Sequence, residues 1–112
     1  MATVTYEEIK DLPNHPEKLL IDVRNVDEVQ ATGQIPTSIN IPLPNVKEEL
    51  ELSAEDFKSK YGRNKSLENE IIFHCYAGRR AANASAVAEG LGFTNSKSYP
   101  GSWTEWALKE GL

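Results

Sequence analysis

The chain predicts an α/β layered domain built on a mainly parallel sheet, and three observations carry that expectation. Short apolar runs alternate with helical segments along its whole length. The runs Leu19-Leu20-Ile21-Asp22-Val23 and Ile71-Ile72-Phe73-His74 are nearly continuous in apolar character, as strands buried on both faces require. The second run leads into Cys75-Tyr76-Ala77-Gly78-Arg79-Arg80 and then into an alanine-rich stretch, the order strand, tight loop, helix.

Taken in order, Thr5-Tyr6-Glu7-Glu8 forms a capping box for a short helix from Tyr6 to Leu12 that stops before Pro13. Asn14-His15-Pro16 reads as a turn. Residues 19–23 are the first strand. Asn25-Val26-Asp27-Glu28 opens a second helix, and Gly33 suits its end. Ile39-Asn40-Ile41, held between Pro36 and Pro42, is a short strand. Residues 44–50 are helical, and Ser53 caps a further helix that runs to Tyr61 and ends at Gly62. Residues 63–69 form a polar loop. Residues 71–74 are a strand, Arg80 to Leu91 a helix closed by Gly92, and Lys97-Ser98-Tyr99 a last strand. After the Pro100-Gly101 turn, Ser102 caps a final helix of one or two turns.

With 112 residues the chain fits one domain, residues 1–112, able to remove roughly 60–70% of its unfolded surface from water. The net charge of −5 opposes binding to nucleic acid and to anionic lipid. No apolar run approaches the roughly 20 residues of a membrane span. The amino terminus has no basic region and no long apolar core, so no secretory leader is expected. The single cysteine cannot form an internal disulfide, and the cytoplasm is the expected location.

That cysteine carries the functional reading. Cys75 follows a strand at the carboxyl edge of the sheet, where sites form in open parallel sheets. It sits over the amino end of a helix, where unpaired N–H groups favour an anion. Gly78 can adopt positive φ and let several N–H groups converge on the sulfur. Such donors favour the thiolate, the reactive form of cysteine. Arg80 can neutralise charge at the site or clamp the loop, and Arg79 can meet substrate or face water. Against this stands an inert core cysteine, which would be sealed from solvent with the neighbouring amides bonded elsewhere. His74 is next to Cys75, and strand neighbours point to opposite faces, so it is read as a packed residue rather than a base for the thiol. His15 lies in a turn and is read as solvated. The two histidines and one cysteine have no metal-ligand spacing, so neither a metal nor a cofactor is expected.

At these residues the chain resembles the rhodanese family, in particular its small single-domain thiosulfate sulfurtransferases. Cys75 to Arg80 matches the family's C-x-x-G-x-R loop. Ile21-Asp22-Val23-Arg24, then Glu28, then Gly33-Gln34-Ile35-Pro36-Thr37-Ser38-Ile39-Asn40-Ile41-Pro42 resembles its amino-terminal signature, and Tyr99-Pro100-Gly101-Ser102-Trp103-Thr104-Glu105-Trp106 its carboxyl-terminal one. Gln34 stands where the family usually has His, Thr37-Ser38 where it has Gly-Ala, and Ser102 where it has a second glycine. The resemblance implies a rhodanese-like fold, a mainly parallel central sheet of about five short strands flanked by helices. It implies that Cys75 cycles through a persulfide with Arg80 as its catalytic partner. Tyr76, Ala77, Gly78, Arg79 and Trp103 would then contact substrate. Asp22, Arg24 and Glu28 would be structural, with Arg24 paired to Glu28.

The implied partners are a thiosulfate donor and an external acceptor, either a small thiol such as glutathione or cyanide, served by a monomer. Cysteine phosphatases and arsenate reductases on this fold carry one residue more between Cys and Arg than the four found here, Tyr76 to Arg79. The shorter loop favours sulfur transfer. A phosphatase or arsenate reductase, and a non-catalytic persulfide carrier, are the alternatives.

Overall fold

Strand β1 (Leu19–Asp22) lies at the centre of the sheet in a computed structural model that describes residues 2–112. Met1, the first residue of the terminus read above as leader-free, lies outside the described residues. Strand β2 (Ile39–Asn40) pairs with one side of β1, and β3 (Ile71–His74) with the other, while β4 (Ser96–Ser98) borders β3. All pairings are parallel, in the order β2-β1-β3-β4. The fifth strand shrinks to one parallel bridge, Thr3 to Ser98, on the outer edge of β4. The chain passes from β1 to β2 on one side and then returns to β3 on the other. The strand order therefore reverses between β1 and β3, the place where sites form in open parallel sheets.

Alternation along the strands assigns each side chain to a layer. Leu19, Ile21, Ile71, Phe73 and Cys75 enter one core, under α3 (Val46–Leu50), α4 (Ala54–Tyr61) and α5 (Arg79–Gly90). Leu20 and Ile72 enter the other, with Ile9 of α1 (Tyr6–Lys10) and Trp103 and Trp106 of α6 (Ser102–Glu110). The remaining helix, α2 (Val26–Thr32), buries no residue.

The local signals act as their chemistry requires. Glu8 accepts the Thr5 N–H at 3.0 Å, and Ser53 Oγ accepts the Asp56 N–H at 3.0 Å. Besides shifts of one residue at the ends of β1, β2 and the helix after Gly78, four details differ from expectation. The first helix ends at Lys10, and Leu12–Asn14 forms a 3-10 turn with Pro13 inside it, because a first turn needs no proline N–H. Leu43–Asn45 is a second 3-10 turn, and the α-helix there begins only at Val46. The last strand is Ser96–Ser98; the Tyr99 N–H still donates to the Phe73 carbonyl at 2.9 Å, and the Tyr99 ring fills the second core. Helix α6 is nine residues long, because Trp103, Trp106 and Ala107 repeat at helical spacing against that core.

Candidate active site

The loop after β3 owes its shape to α6. The first N–H groups of a helix have no partner within it. Here the Trp103 N–H donates to the Cys75 carbonyl at 2.9 Å, and the Thr104 N–H and Oγ1 donate to the Tyr76 carbonyl at 3.0 and 2.8 Å. With the loop carbonyls turned towards α6, loop amides turn towards the sulfur. Gly78 N lies 3.0 Å from Cys75 Sγ, and Ala81 N, in the first turn of α5, lies 3.4 Å away. Gly78 has φ of 108°, and a Cβ on it would lie 2.6 Å from the Pro100 carbonyl oxygen. No side chain fits there unless the loop moves, so glycine brings this amide to the sulfur.

Cys75 is only 1% exposed. Half of the inert-cysteine description is therefore met, and the other half is not. Its neighbouring amides are bonded to the sulfur, not elsewhere. Two N–H donors on a neutral thiol, a weak acceptor, are poorly used; on a thiolate or persulfide they are strong.

Around the loop, Tyr76 is 52% exposed and Ala77 and Arg79 also face solvent, while Gly78 is half-buried. Arg79 makes no ion pair among the described residues. Arg80 is turned along α2 instead. Its Nη1 and Nη2 donate to both oxygens of Glu28 at 2.7 and 2.9 Å, and Glu28 also accepts the Asn25 N–H at 2.9 Å. The guanidinium holds the Glu28 carboxyl down at about 2 against an ordinary 4.5, with the Asn25 amide helping against partial burial.

The Arg24–Glu28 pair implied by the resemblance is therefore corrected. Arg24 is fully buried, with Nε 3.1 Å from both oxygens of Asp22 and Nη2 2.7 Å from Oδ2. It also donates to Thr32 Oγ1 at 2.9 Å and to the Gly33 carbonyl at 3.1 Å, and stacks 4.8 Å from the Trp103 ring centroid. The cause is burial. Asp22 is sealed at the end of β1 and needs a cation at hand, which Arg24 supplies from two residues away. Asn40 ties this turn to β2 by donating to the Asp22 and Arg24 carbonyls, both at 2.9 Å.

The Trp103 ring lies in the second core against Arg24, so its contact with the reactive loop is its backbone N–H. His74 is buried on the face opposite Cys75. Its Nδ1 lies 3.3 Å from the Cys75 carbonyl and its Nε2 3.5 Å from Asp22 Oδ2, across the β1–β3 register. Burial pushes its pKa down, against the attraction of Asp22, so the ring stays neutral and away from the sulfur. Among the described residues no group of His, Cys, Asp and Glu could hold a metal ion.

One site residue had only a helix-capping role in the sequence reading. Ser102 is the first residue of α6, and its Oγ accepts the Cys75 N–H at 3.1 Å. The visible signal was a serine after Gly101 in a late motif that the family fills with glycine.

The Glu28–Arg80 pair makes stability depend on acid. Glu28 has a folded-state value below its unfolded one, so its contribution is complete above about pH 4.5 and is lost as pH falls towards about 2. At roughly one-third exposure the pair is worth about 1 kcal/mol. Urea midpoints measured between these pH values should fall less steeply in Glu28→Gln than in the unmodified chain. Equal slopes would remove the pair as a stabilising clamp.

Comparison with known proteins agrees with this geometry. A family model described as a rhodanese-like domain matches residues 5–109. A rhodanese domain-containing protein of Drosophila melanogaster is 51% identical over 109 residues, covering 96% of this chain and 98% of its own. The thiosulfate:glutathione sulfurtransferase of Homo sapiens is 34% identical over 110 residues, covering 96% and 95%. The solved structure of the human single-domain sulfurtransferase TSTD1 superposes with a TM-score of 0.86 at 32% identity, covering 97% of both chains. A lone thiol held by loop amides at the β1–β3 reversal, and this match along nearly the whole length, place the chain in the rhodanese family.

Proposed function

We propose that this protein is a thiosulfate sulfurtransferase that carries sulfane sulfur as a Cys75 persulfide. The supporting observation is the pair of amides, from Gly78 and Ala81, aimed at the sulfur of the only cysteine. The Cys75 thiolate attacks the outer sulfur of thiosulfate. The thiosulfate S–S bond breaks, a new S–S bond forms on Cys75, and sulfite leaves with the electron pair. The amides hold the negative charge before and after the step.

Arg79, exposed and free of an ion pair among the described residues, supplies the cation for the entering and leaving anions. Arg80 acts with it by fixing the loop on Glu28. No second cysteine can resolve the persulfide, so an external thiolate attacks its outer sulfur and expels the Cys75 thiolate. Glutathione fits that role, as the name of the human relative also says of that protein; cyanide is a second acceptor. The protein acts as a monomer in a reducing compartment, the cytoplasm.

Intact-mass analysis tests this reading. Treatment with thiosulfate should add about 32 Da, one sulfur atom, and release sulfite in equal amount; glutathione should then remove the added mass. Loading that occurs only with a partner desulfurase would identify a carrier instead, and Cys75-dependent hydrolysis of an aryl phosphate would identify a phosphatase.

A further inference from the structure

We infer that Ser102 is a positioning residue for the reacting sulfur, its hydroxyl turning from the Tyr99 carbonyl to Cys75 Sγ when the sulfur carries charge. The inference rests on Cys75 as the nucleophile. Ser102 is fully buried, and its Oγ lies 2.8 Å from the Tyr99 carbonyl oxygen and 3.8 Å from Cys75 Sγ. One lone pair of Oγ already accepts the Cys75 N–H at 3.1 Å, which fixes the oxygen beside the sulfur. The hydroxyl proton then has two acceptors within a rotation about one bond. Opposite a neutral thiol the carbonyl is the better acceptor. Opposite a thiolate or persulfide anion the charge favours the sulfur. Ser102 would thereby add a third donor to those of Gly78 and Ala81.

The backbone makes a purely structural serine an awkward choice here. Ser102 has φ of 51°, and Thr37 is the only other non-glycine residue at positive φ among the described residues. A glycine would adopt this conformation without strain. The strain places a hydroxyl against the sulfur, in keeping with the tendency of such outliers to gather at functional sites. The charged and titratable neighbours are Arg80 at the start of α5 with Glu28 of α2, exposed Tyr76 and Arg79 in the loop, Tyr99 ahead of α6 with Glu105 within it, and buried Asp22, Arg24 and His74; a substitution at Ser102 removes none of them.

Two variants separate the hydroxyl from the backbone. Ser102→Ala removes the donor and keeps Cβ, and Ser102→Gly removes the donor and relieves φ. In both, kcat/KM for sulfite release from thiosulfate should fall about tenfold at pH 6, recover as pH rises, and show its acid limb displaced to higher pH. The rate at which iodoacetamide alkylates the single thiol should show the same displacement. A uniform loss at every pH would mean that Ser102 only holds the Cys75 N–H, and a Ser102→Gly variant with the unmodified profile would mean that the hydroxyl does nothing; either result overturns the inference. Alkylation needs no turnover. If the unmodified chain released no sulfite, the transferase reading would fail while the alkylation profiles still decided the role of Ser102.

Discussion

Cys75→Ser is expected to abolish sulfite release from thiosulfate, by a factor of at least about 10⁴, while the protein stays folded. The fold survives because the substitution is nearly isosteric and leaves no polar atom stranded. A serine oxygen at this position inherits donors from Gly78 and Ala81 and lies close to the Ser102 hydroxyl. The chemistry fails because an alcohol is not ionised at neutral pH and does not accept sulfane sulfur. Circular dichroism and urea unfolding should resemble those of the unmodified chain, with a change of no more than about 2 kcal/mol. Thiosulfate should add no mass. Sulfite release that persisted in this variant would show that the nucleophile is not Cys75, since the chain has no other thiol.

The largest stability effect is expected at Asp22. Its carboxylate is fully buried and accepts three side-chain hydrogen bonds from an equally buried Arg24. Asp22→Asn leaves the guanidinium in the interior without a counter-ion and places an amide nitrogen among donors. Breaking such a pair from one side costs about 3–5 kcal/mol, a large part of the 5–15 kcal/mol that holds a typical domain. The double variant Asp22→Asn with Arg24→Met should recover part of that loss, because the stranded charge then goes too. Recovery stays incomplete, since Thr32 Oγ1 and the Gly33 carbonyl lose the Arg24 donor. Thermal or urea midpoints of the unmodified chain, Asp22→Asn, Arg24→Met and the double variant close the cycle. A cost below about 1 kcal/mol for Asp22→Asn would mean that the pair is not what anchors the end of β1.

Particular residues show how far the sequence could be read. The strand over Ile71 to His74 and the helix that follows Gly78 were legible, because apolar runs and alanine content report on neighbours in the chain. The opposite facing of His74 and Cys75 was legible from the strand period alone, and the two residues do enter different cores or faces. The partner of Arg24 was not. The family resemblance pointed to Glu28, yet Arg24 turns inward to the buried carboxylate while Glu28 binds an arginine 52 residues away. Ser102 was read as a cap because Ser-x-x-Glu is the usual capping pattern. In the fold, Gly101 holds the cap position and the serine hydroxyl faces Cys75, 27 residues away.

The amino-acid order by itself determined the alternating α/β architecture, the placing of one thiol between a strand and a helix, and that the thiol is the single cysteine of the sequence. These are consequences of short-range periodicity, of glycine's conformational freedom and of counting cysteines. Tertiary packing alone decided which cation meets which carboxylate, how deeply the sulfur is buried, and that helix α6 draws the loop carbonyls away so that amides meet the sulfur. Those choices depend on the reversal of strand order at β1 and on two helices converging there, distances that no local run of residues encodes.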